Sequence, residues 1–404
     1  MCELQEKQKS WVEEVLKEKN FNKIEIEFPD FDPNGGQSSL MSFVKVLAEK
    51  NGEKSIFDLI IKRGRDDGCD PLNLKLIYVN EVYFYSQIVP CFEKFAKGKN
   101  VVPFENIPHC YGTITQEEQY VIVLENLKPK GFRLHNLHEP MDIDHVRLVV
   151  EAYAKWHAFS FALRDQQPWC FDELAQCSQE IRNCKIKDFV IPTTQREIDA
   201  VIEIYEKKKD SVMAEKLRAL KVNCFQSLKD YYSANDDEDY LVIRHGDCWM
   251  NNFIFQYKEN QTTPEKVAVI DWQLSMMGSP MLDLTHFLFY ACSRKELDQL
   301  DDIINFYYDN LSKNILNLGS DPMKCYPKER LIQSFKHYAP SAIAGVPVMV
   351  KVCFTPDIPK KYDMSKVSEE GSFNCLLEGG MIDVEGYFKR IDDVLKLCVK
   401  RGFL

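Results

Sequence analysis

His245-Gly246-Asp247-Cys248-Trp249-Met250-Asn251-Asn252, followed by Val269-Ile270-Asp271-Trp272 at the end of an apolar stretch, decides how this chain is read. An aspartate, an asparagine five residues later and a second aspartate closing a strand form a set suited to moving phosphate from ATP. One carboxylate must orient an attacking hydroxyl and accept its proton, while an amide oxygen and a second carboxylate hold Mg2+ against the nucleotide phosphates. Asp247 is the expected base. A carboxylate near its ordinary pKa is a poor base for an alcohol, so its main work is expected to be orientation. Asn252 and Asp271 are the expected magnesium ligands, and His245 is expected to brace the loop by hydrogen bonding. Taken singly, Asp247 reads as a loop cap and Asp271 as a turn former, but the combined pattern rarely arises by chance.

Upstream, Lys62 closes the apolar run Ile56–Ile61, and Glu81 follows nineteen residues later inside a helical pattern. A strand lysine paired with a helix glutamate positions the α- and β-phosphates in kinases. Alone, each is an ordinary solvated charge; their order relative to Asp247 gives them meaning. Gly35-Gly36-Gln37-Ser38-Ser39 has the composition to drape backbone amides over phosphates. It is neither G-x-G-x-x-G nor a Walker A, and a plain surface turn fits it equally well. Asp283, in Gly278-Ser279-Pro280-Met281-Leu282-Asp283, is expected to cap the apolar helix that follows and to tie down the catalytic loop. His157, among Trp156, Ala158 and Phe159, reads as a core histidine with its hydrogen bonds satisfied.

Around these residues the pattern is α+β, a small sheet-rich part followed by a larger helical one. A charged periodic segment at 6–20 predicts a helix. Leu40–Glu49 and Ile56–Lys62 predict two strands joined at Asn51-Gly52, a strong hairpin turn. Residues 73–95 carry apolar positions at helical spacing, and Tyr120–Glu125 reads as a buried strand. Helices are expected at 143–164, 195–233, 295–316 and 383–401, with short strands at 241–244, 253–256 and 267–271. The break at Leu127-Lys128-Pro129-Lys130-Gly131 divides the chain into a nucleotide-binding lobe, 1–125, and a catalytic and substrate-binding lobe, 126–404.

Composition narrows the partners. The 404 residues are 45% hydrophobic and 28% charged, as in a soluble globular protein large enough for a sizeable core. A net charge of −11 argues against nucleic acid, yet leaves room for ATP, which needs only a local positive site and a metal. The charged N-terminus shows no secretory pattern, and the longest apolar run, Ala342–Val350, is too short to span a membrane. Fourteen scattered cysteines without a C-x-x-C pair suit reduced thiols, hence a cytoplasmic protein. A monomer is expected.

These stretches together resemble the ecdysteroid kinase-like (CHK kinase-like) family, within the choline kinase and aminoglycoside phosphotransferase superfamily. The resemblance also rests on Leu124-Glu125-Asn126-Leu127, Gly131-Phe132, Lys155-Trp156-His157-Ala158 and the closing Val399–Leu404, so it runs over nearly the whole chain. It implies a bilobal kinase fold, ATP with Mg2+ between the lobes, and phosphorylation of a small-molecule alcohol such as an ecdysteroid or a xenobiotic. It also implies nucleotide contacts from Glu125 and Leu127 at the hinge. Two departures stand out: Asp271-Trp272-Gln273 where the family has Asp-Phe-Gln, and Glu125-Asn126-Leu127 where it has Glu-Asp-Leu. The second removes a carboxylate beside the expected adenine and ribose contacts.

Three rival readings share these residue types. A protein kinase needs an activation segment, for which the eleven residues between Asp271 and Asp283 are too few. A catalytically silent protein that binds a lipophilic ligand does not require Lys62, Glu81, Asp247, Asn252 and Asp271 together. A metal-dependent phosphohydrolase built on His245, Asp247, Asp283 and His286 leaves Lys62 and Glu81 unexplained. The acceptor is expected to lie against residues 160–235 and 335–385. There Trp169, Phe171, Phe189, Met349, Val350 and Phe354 suit a lipophilic molecule or ordinary helix packing.

Overall fold

The computed structural model describes residues 3–29, 39–64, 73, 75–116, 119–177, 181, 184–232, 240–355, 364–378 and 380–404. Gly35, Gly36 and Ser38 lie outside these, and of Ser39 only the backbone is described. The architecture is α+β, as the sequence pattern predicts.

A five-stranded antiparallel sheet in the order β1-β2-β3-β5-β4 opens the chain, built from Asn22–Glu27 (β1), Ser39–Lys50 (β2), Glu53–Gly64 (β3), Cys110–Ile114 (β4) and Val121–Glu125 (β5). Asn51 and Gly52 take φ of 53° and 85°, as the tightest hairpin turn requires. Alternation then sorts the faces. Val44, Val46, Leu59, Ile61, Val121 and Val123 meet Trp11, Val12, Val15 and Leu16 of the helix Glu3–Glu18 (α1). Gly112 lets that helix approach, since a Cβ there would stand 2.9 Å from Val15 Cγ1. Ile60 faces the opposite way and packs on the main core, and Lys62 shares its parity.

Against that second face lies Lys75–Tyr83 (α2), continued through a π turn, Phe84–Ile88, into Val89–Gly98 (α3). The single helix expected over 73–95 is therefore interrupted. Pro90 has no N–H for the Ser86 carbonyl, and the wider turn ahead of it, closed by Val89 N–H to Phe84 O, absorbs the mismatch.

The helical part is built around Ile143–Gln166 (α4), whose N-cap Asp142 accepts from Asp144 N and His145 N. The helix expected over 195–233 is two, Ile186–Lys207 (α6) and Ser211–Tyr232 (α7), following Pro168–Cys177 (α5). Lys209 adopts φ 60° and Asp210 accepts from Met213 N, so the polar run ends one helix and starts the next. Likewise 295–316 divides into Arg294–Leu297 (α9) and Leu300–Asn317 (α10), after Pro280–Ala291 (α8). Every residue of α8 is buried, the polar Asp283, Thr285 and His286 among its apolar majority included. Pro322–Cys325 (α11), Lys328–Phe354 (α12), Met364–Glu370 (α13) and Val384–Arg401 (α14) complete the chain. Among the described residues no helix is long and apolar enough to cross a membrane.

Two small sheets frame the catalytic segment. Val242–Arg244 (β7) pairs with Met276–Gly278 (β10), and Phe132–Leu134 (β6), Phe253–Tyr257 (β8) and Pro264–Val269 (β9) form a three-stranded sheet in the order β6-β8-β9. Of the six apolar residues expected to wall an acceptor site, Phe171, Val350 and Phe354 lie in the core and Met349 packs on it, while Phe189 packs on a separate cluster. Trp169 alone is largely exposed, at 70%. Packing accounts for the other five.

Leu16 is fully buried between α1 and the sheet. Leu16→Ala is expected to destabilise the protein by about 2–5 kcal/mol. A thermal unfolding midpoint within a degree of the parent would contradict that packing.

Candidate active site

Lys62, on the central strand β3, extends its ammonium into a buried space between two carboxylates. Nζ lies 2.8 Å from Glu81 Oε1 and 2.5 Å from Asp271 Oδ1, and both Lys62 and Glu81 are almost wholly buried. Residues from a strand, a helix and a loop 209 positions away thus meet at one nitrogen. Burial opposes the charge on Lys62, but the attraction of Asp271 and Glu81 outweighs it and raises its pKa well above the usual lysine range. Burial pushes the Glu81 carboxyl up to about 7, with Lys62 pulling the other way and Asp271 adding repulsion. Geometry favours the ionised pair, because Lys62 also lies 2.6 Å from Glu81 Oε2.

Asp271 follows β9 with φ 65° and ψ 64°, a left-handed conformation that aspartate tolerates better than most residues. Trp272 holds it there. Its buried ring stacks on Phe84 at 4.3 Å and 11°, lies 4.6 Å from Trp156, and meets His245 edge-on at 4.7 Å. The indole N–H donates to Val269 O at 3.1 Å. The tryptophan therefore supplies aromatic contacts and a hydrogen bond that a phenylalanine ring could not make.

The second cluster is the loop between β7 and β8. Asn252 Nδ2 donates to Asp247 Oδ2 at 2.8 Å and to Asp247 O at 2.9 Å, which leaves Oδ1 of Asn252 as its possible metal ligand. Ile270 N–H donates to Asn252 O at 3.0 Å, tying this loop to the segment that carries Asp271. Burial first, and then the charge of Asp271, raise Asp247 to about 7. This corrects the expectation of an ordinary pKa: burial moves the carboxyl toward the neutral range. Among the described residues no three His, Cys, Asp or Glu side chains gather as a self-sufficient metal site. Magnesium does not require one, since it keeps waters and takes one or two carboxylates together with phosphate oxygens. Two mutually repelling carboxylates beside an amide oxygen fit that demand.

His245 is a brace, as expected. Its Nε2 lies 3.0 Å from Ile270 O and its Nδ1 3.3 Å from Asp247 N, so one neutral tautomer, protonated at Nε2, satisfies both. Burial lowers its pKa and favours that neutral form. Gly246 takes φ 83°, and a Cβ there would stand 2.2 Å from Leu274 O, so only glycine fits.

Asp283 ties the loop down but does not cap the helix. Ser279 is the N-cap of α8, accepting from Met281 N. The Asp283 carboxylate instead accepts from His245 N at 2.7 Å, Gly246 N at 3.0 Å and Cys248 Sγ at 3.1 Å. His157 Nε2 lies 3.2 Å away and its Nδ1 2.8 Å from Tyr307 OH, which makes it the satisfied core histidine expected. His286 hydrogen-bonds Leu282 O and burial lowers its pKa to about 3. With Asp283 and His286 committed to the interior, the four-residue phosphohydrolase site does not form.

Glu125 is the last β5 residue and pairs with Leu59 of β3, Leu127 follows two residues later, and the Glu125 carboxylate carries a 2.5 Å ion pair to Lys130. Asn126 Oδ1 accepts from Lys128 N at 3.0 Å, a turn contact that an aspartate would make equally. One contributor escaped the sequence reading: Asn80, beside Glu81 and 5% exposed, donates to Gln273 O at 3.0 Å and Ser275 O at 2.8 Å. An asparagine inside a helical pattern carries no signal that it faces inward.

The mixed sheet-and-helix build and the paired motifs are those of a kinase-like phosphotransferase. Residues 36–320 match the ecdysteroid kinase-like family, and the chain belongs to it. It is 47% identical over 61 residues to acyl-CoA dehydrogenase family member 11 of Pongo abelii, 15% of this chain and 7% of that protein. It is 34% identical over 53 residues to 4-hydroxytryptamine kinase of Psilocybe cyanescens, 13% of this chain and 14% of that one. The matches thus span only a small part of either relative. The solved GDP complex of wild-type aminoglycoside 2′-phosphotransferase-IIIa aligns over 91% of this chain and 96% of its own, at 12% identity and a TM-score of 0.38.

Two outcomes follow from this geometry. Burial opposes the charge on Asp283, but the His157 hydrogen bond and the nearby Arg244 guanidinium hold its pKa far below the usual carboxylate range. Its stabilisation is therefore complete above its unfolded pKa of about 3.9 and fades as pH falls toward the folded value. Asp283→Asn is expected to lose about 2–4 kcal/mol at neutral pH, and the gap should narrow in melts below about pH 4. A constant gap across pH would contradict the ionised clamp. Asn126→Asp, by contrast, keeps the turn acceptor and should shift stability by no more than about 0.5 kcal/mol in the same melts.

Proposed function

We propose that this protein is a small-molecule kinase that transfers the γ-phosphoryl group of ATP in line to an alcohol hydroxyl, on an ecdysteroid or a xenobiotic. The observation that carries this reading is the shared ammonium: Lys62 stands between Glu81 and Asp271, with Asp247 and Asn252 bonded to each other on the adjoining loop.

Lys62, held in position by Glu81, contacts the α- and β-phosphates. Asp247, one oxygen fixed by Asn252, offers the other to the acceptor hydroxyl and takes its proton as the new bond forms. Its raised pKa makes that transfer more favourable than an ordinary aspartate would. Asn252 Oδ1 and the Asp271 carboxylate would hold Mg2+, which when bound neutralises the charge developing on the phosphates. The backbone of residues 35–39 and the hinge around Glu125 and Leu127 complete the nucleotide contacts in this reading. The five-stranded sheet forms the nucleotide-binding lobe, 1–125, and residues 126–404 the catalytic and acceptor lobe of a cytoplasmic monomer.

The test is Mg2+-dependent ADP release with a panel of steroid, phenolic and amino alcohols, followed by mass analysis for products that gain phosphate. Asp271→Ala is expected to abolish turnover with the fold retained. Asp247→Asn should lower kcat by about a hundredfold or more with little change in nucleotide affinity. Near-parental turnover in either variant would remove its residue from the proposed role.

A further inference from the structure

We infer that Asn80 is a positioning residue that joins helix α2 to the Asp271 segment, so that Lys62 is clamped before any nucleotide arrives. The inference rests on the proposed reading of Lys62 and Asp271 as the phosphate and metal residues.

Both hydrogens of the Asn80 amide are used across the gap, on the carbonyls of Gln273 and Ser275. These carbonyls bracket Leu274, at the end of the short turn Trp272–Leu274 that begins immediately after Asp271. Next to Asn80, the Glu81 carboxylate accepts a hydrogen bond from the Trp272 backbone as well as from Lys62. A turn further along the helix, Phe84 stacks on the Trp272 ring. Three contacts, at Asn80 and Glu81 of α2 and at Phe84 just beyond its end, therefore fasten this stretch to one short segment.

The amide contact is the least replaceable of the three. Asn80 and Ser275 are buried, so rotating α2 outward would leave two carbonyls without donors in a region that water does not reach. Aromatic packing tolerates sliding, and the Lys62 ion pair re-forms over a range of angles. Two hydrogen bonds from one planar amide do not. Asn80 thus sets the rotation of α2, and with it the separation of Glu81 and Asp271 that Lys62 has to bridge. The left-handed backbone of Asp271 is supported by the same contact, because the turn behind it cannot relax while Asn80 holds it.

Amine acylation with an N-hydroxysuccinimide ester, read at single lysines by mass spectrometry, tests this on the full chain. Lys351 is the control: it is also mostly buried and ion-paired, 2.8 Å from both oxygens of Glu197, but on α12. In Asn80→Leu, labelling of Lys62 should rise about tenfold while Lys351 stays protected, and kcat/KM for ATP should fall about tenfold. A rise at both lysines would mean general loosening, and no rise at Lys62 would mean that other contacts suffice; either overturns the inference. Asn80→Ser, which keeps one donor, covers the case in which the leucine variant does not fold, and should give an intermediate rise. ATP should protect Lys62 in whichever variant labels. Failure of ATP to protect a Lys62 that responds to Asn80 would sink the nucleotide reading and leave the clamp standing.

Discussion

A single buried ammonium group organises this protein. Lys62 is buried, which disfavours its charge, and Glu81 and Asp271 within hydrogen-bonding distance outweigh that cost. Such buried ion pairs contribute little net stability, because the loss of hydration offsets most of the attraction. Their presence here is better explained by position than by stability. The pair requires that a strand, a helix and a distant loop meet within a few ångströms, and the fold is arranged to make them do so. The hairpin turn at Asn51-Gly52 sets the register of β3, the π turn before Pro90 lets α2 bend into α3, and Trp272 holds Asp271 in its left-handed backbone.

The loop that carries Asp247 depends on a second buried charge, one layer deeper. Asp283 accepts from two backbone N–H groups of the loop and from Cys248, while His157 and Tyr307 extend the network into α4 and α10. A carboxylate with this many donors is fixed in rotation as well as position. The loop it holds can therefore present Asp247 without being rigid in its own sequence. Gly246 allows the sharp bend, and His245 bridges to Ile270 so that both acidic segments share one support.

Much of this was legible in the sequence because the physics is local. Period-two alternation marks β2 and β3, and the spacing of Asp247, Asn252 and Asp271 reflects a loop that must return to the same point. What was not legible depends on tertiary contact. Asp283 follows a Ser-Pro start and looks like a cap, yet Ser279 already fills that position and the carboxylate turns to the loop instead. Asn80 looks like an exposed helix residue until its backbone partners, more than 190 positions away, come into view. Helix breaks at Lys209 and between α9 and α10 fall in polar runs with neither glycine nor proline; Asp210 caps the helix after the first, while Gln299 at the second makes no side-chain cap. The pKa of Asp247 was misread for the same reason: burial is a property of the folded chain.

The electrostatics of the assembled site bear on what it was built to receive. Around Lys62 there are three carboxylates, Glu81, Asp271 and Asp247, against one buried ammonium. Burial and mutual repulsion push both Glu81 and Asp247 up to about 7. Lys62 holds Glu81 ionised, so the acid left to take up a proton is Asp247. An arriving dication offers the alternative, because a positive charge beside Asp271 lowers the pKa of every carboxylate near it. In the proposed reading, that charge would leave Asp247 ionised and able to accept a proton from an alcohol. On the same proposed reading, this excess of acid groups is what favours a metal-bound nucleotide over a bare one.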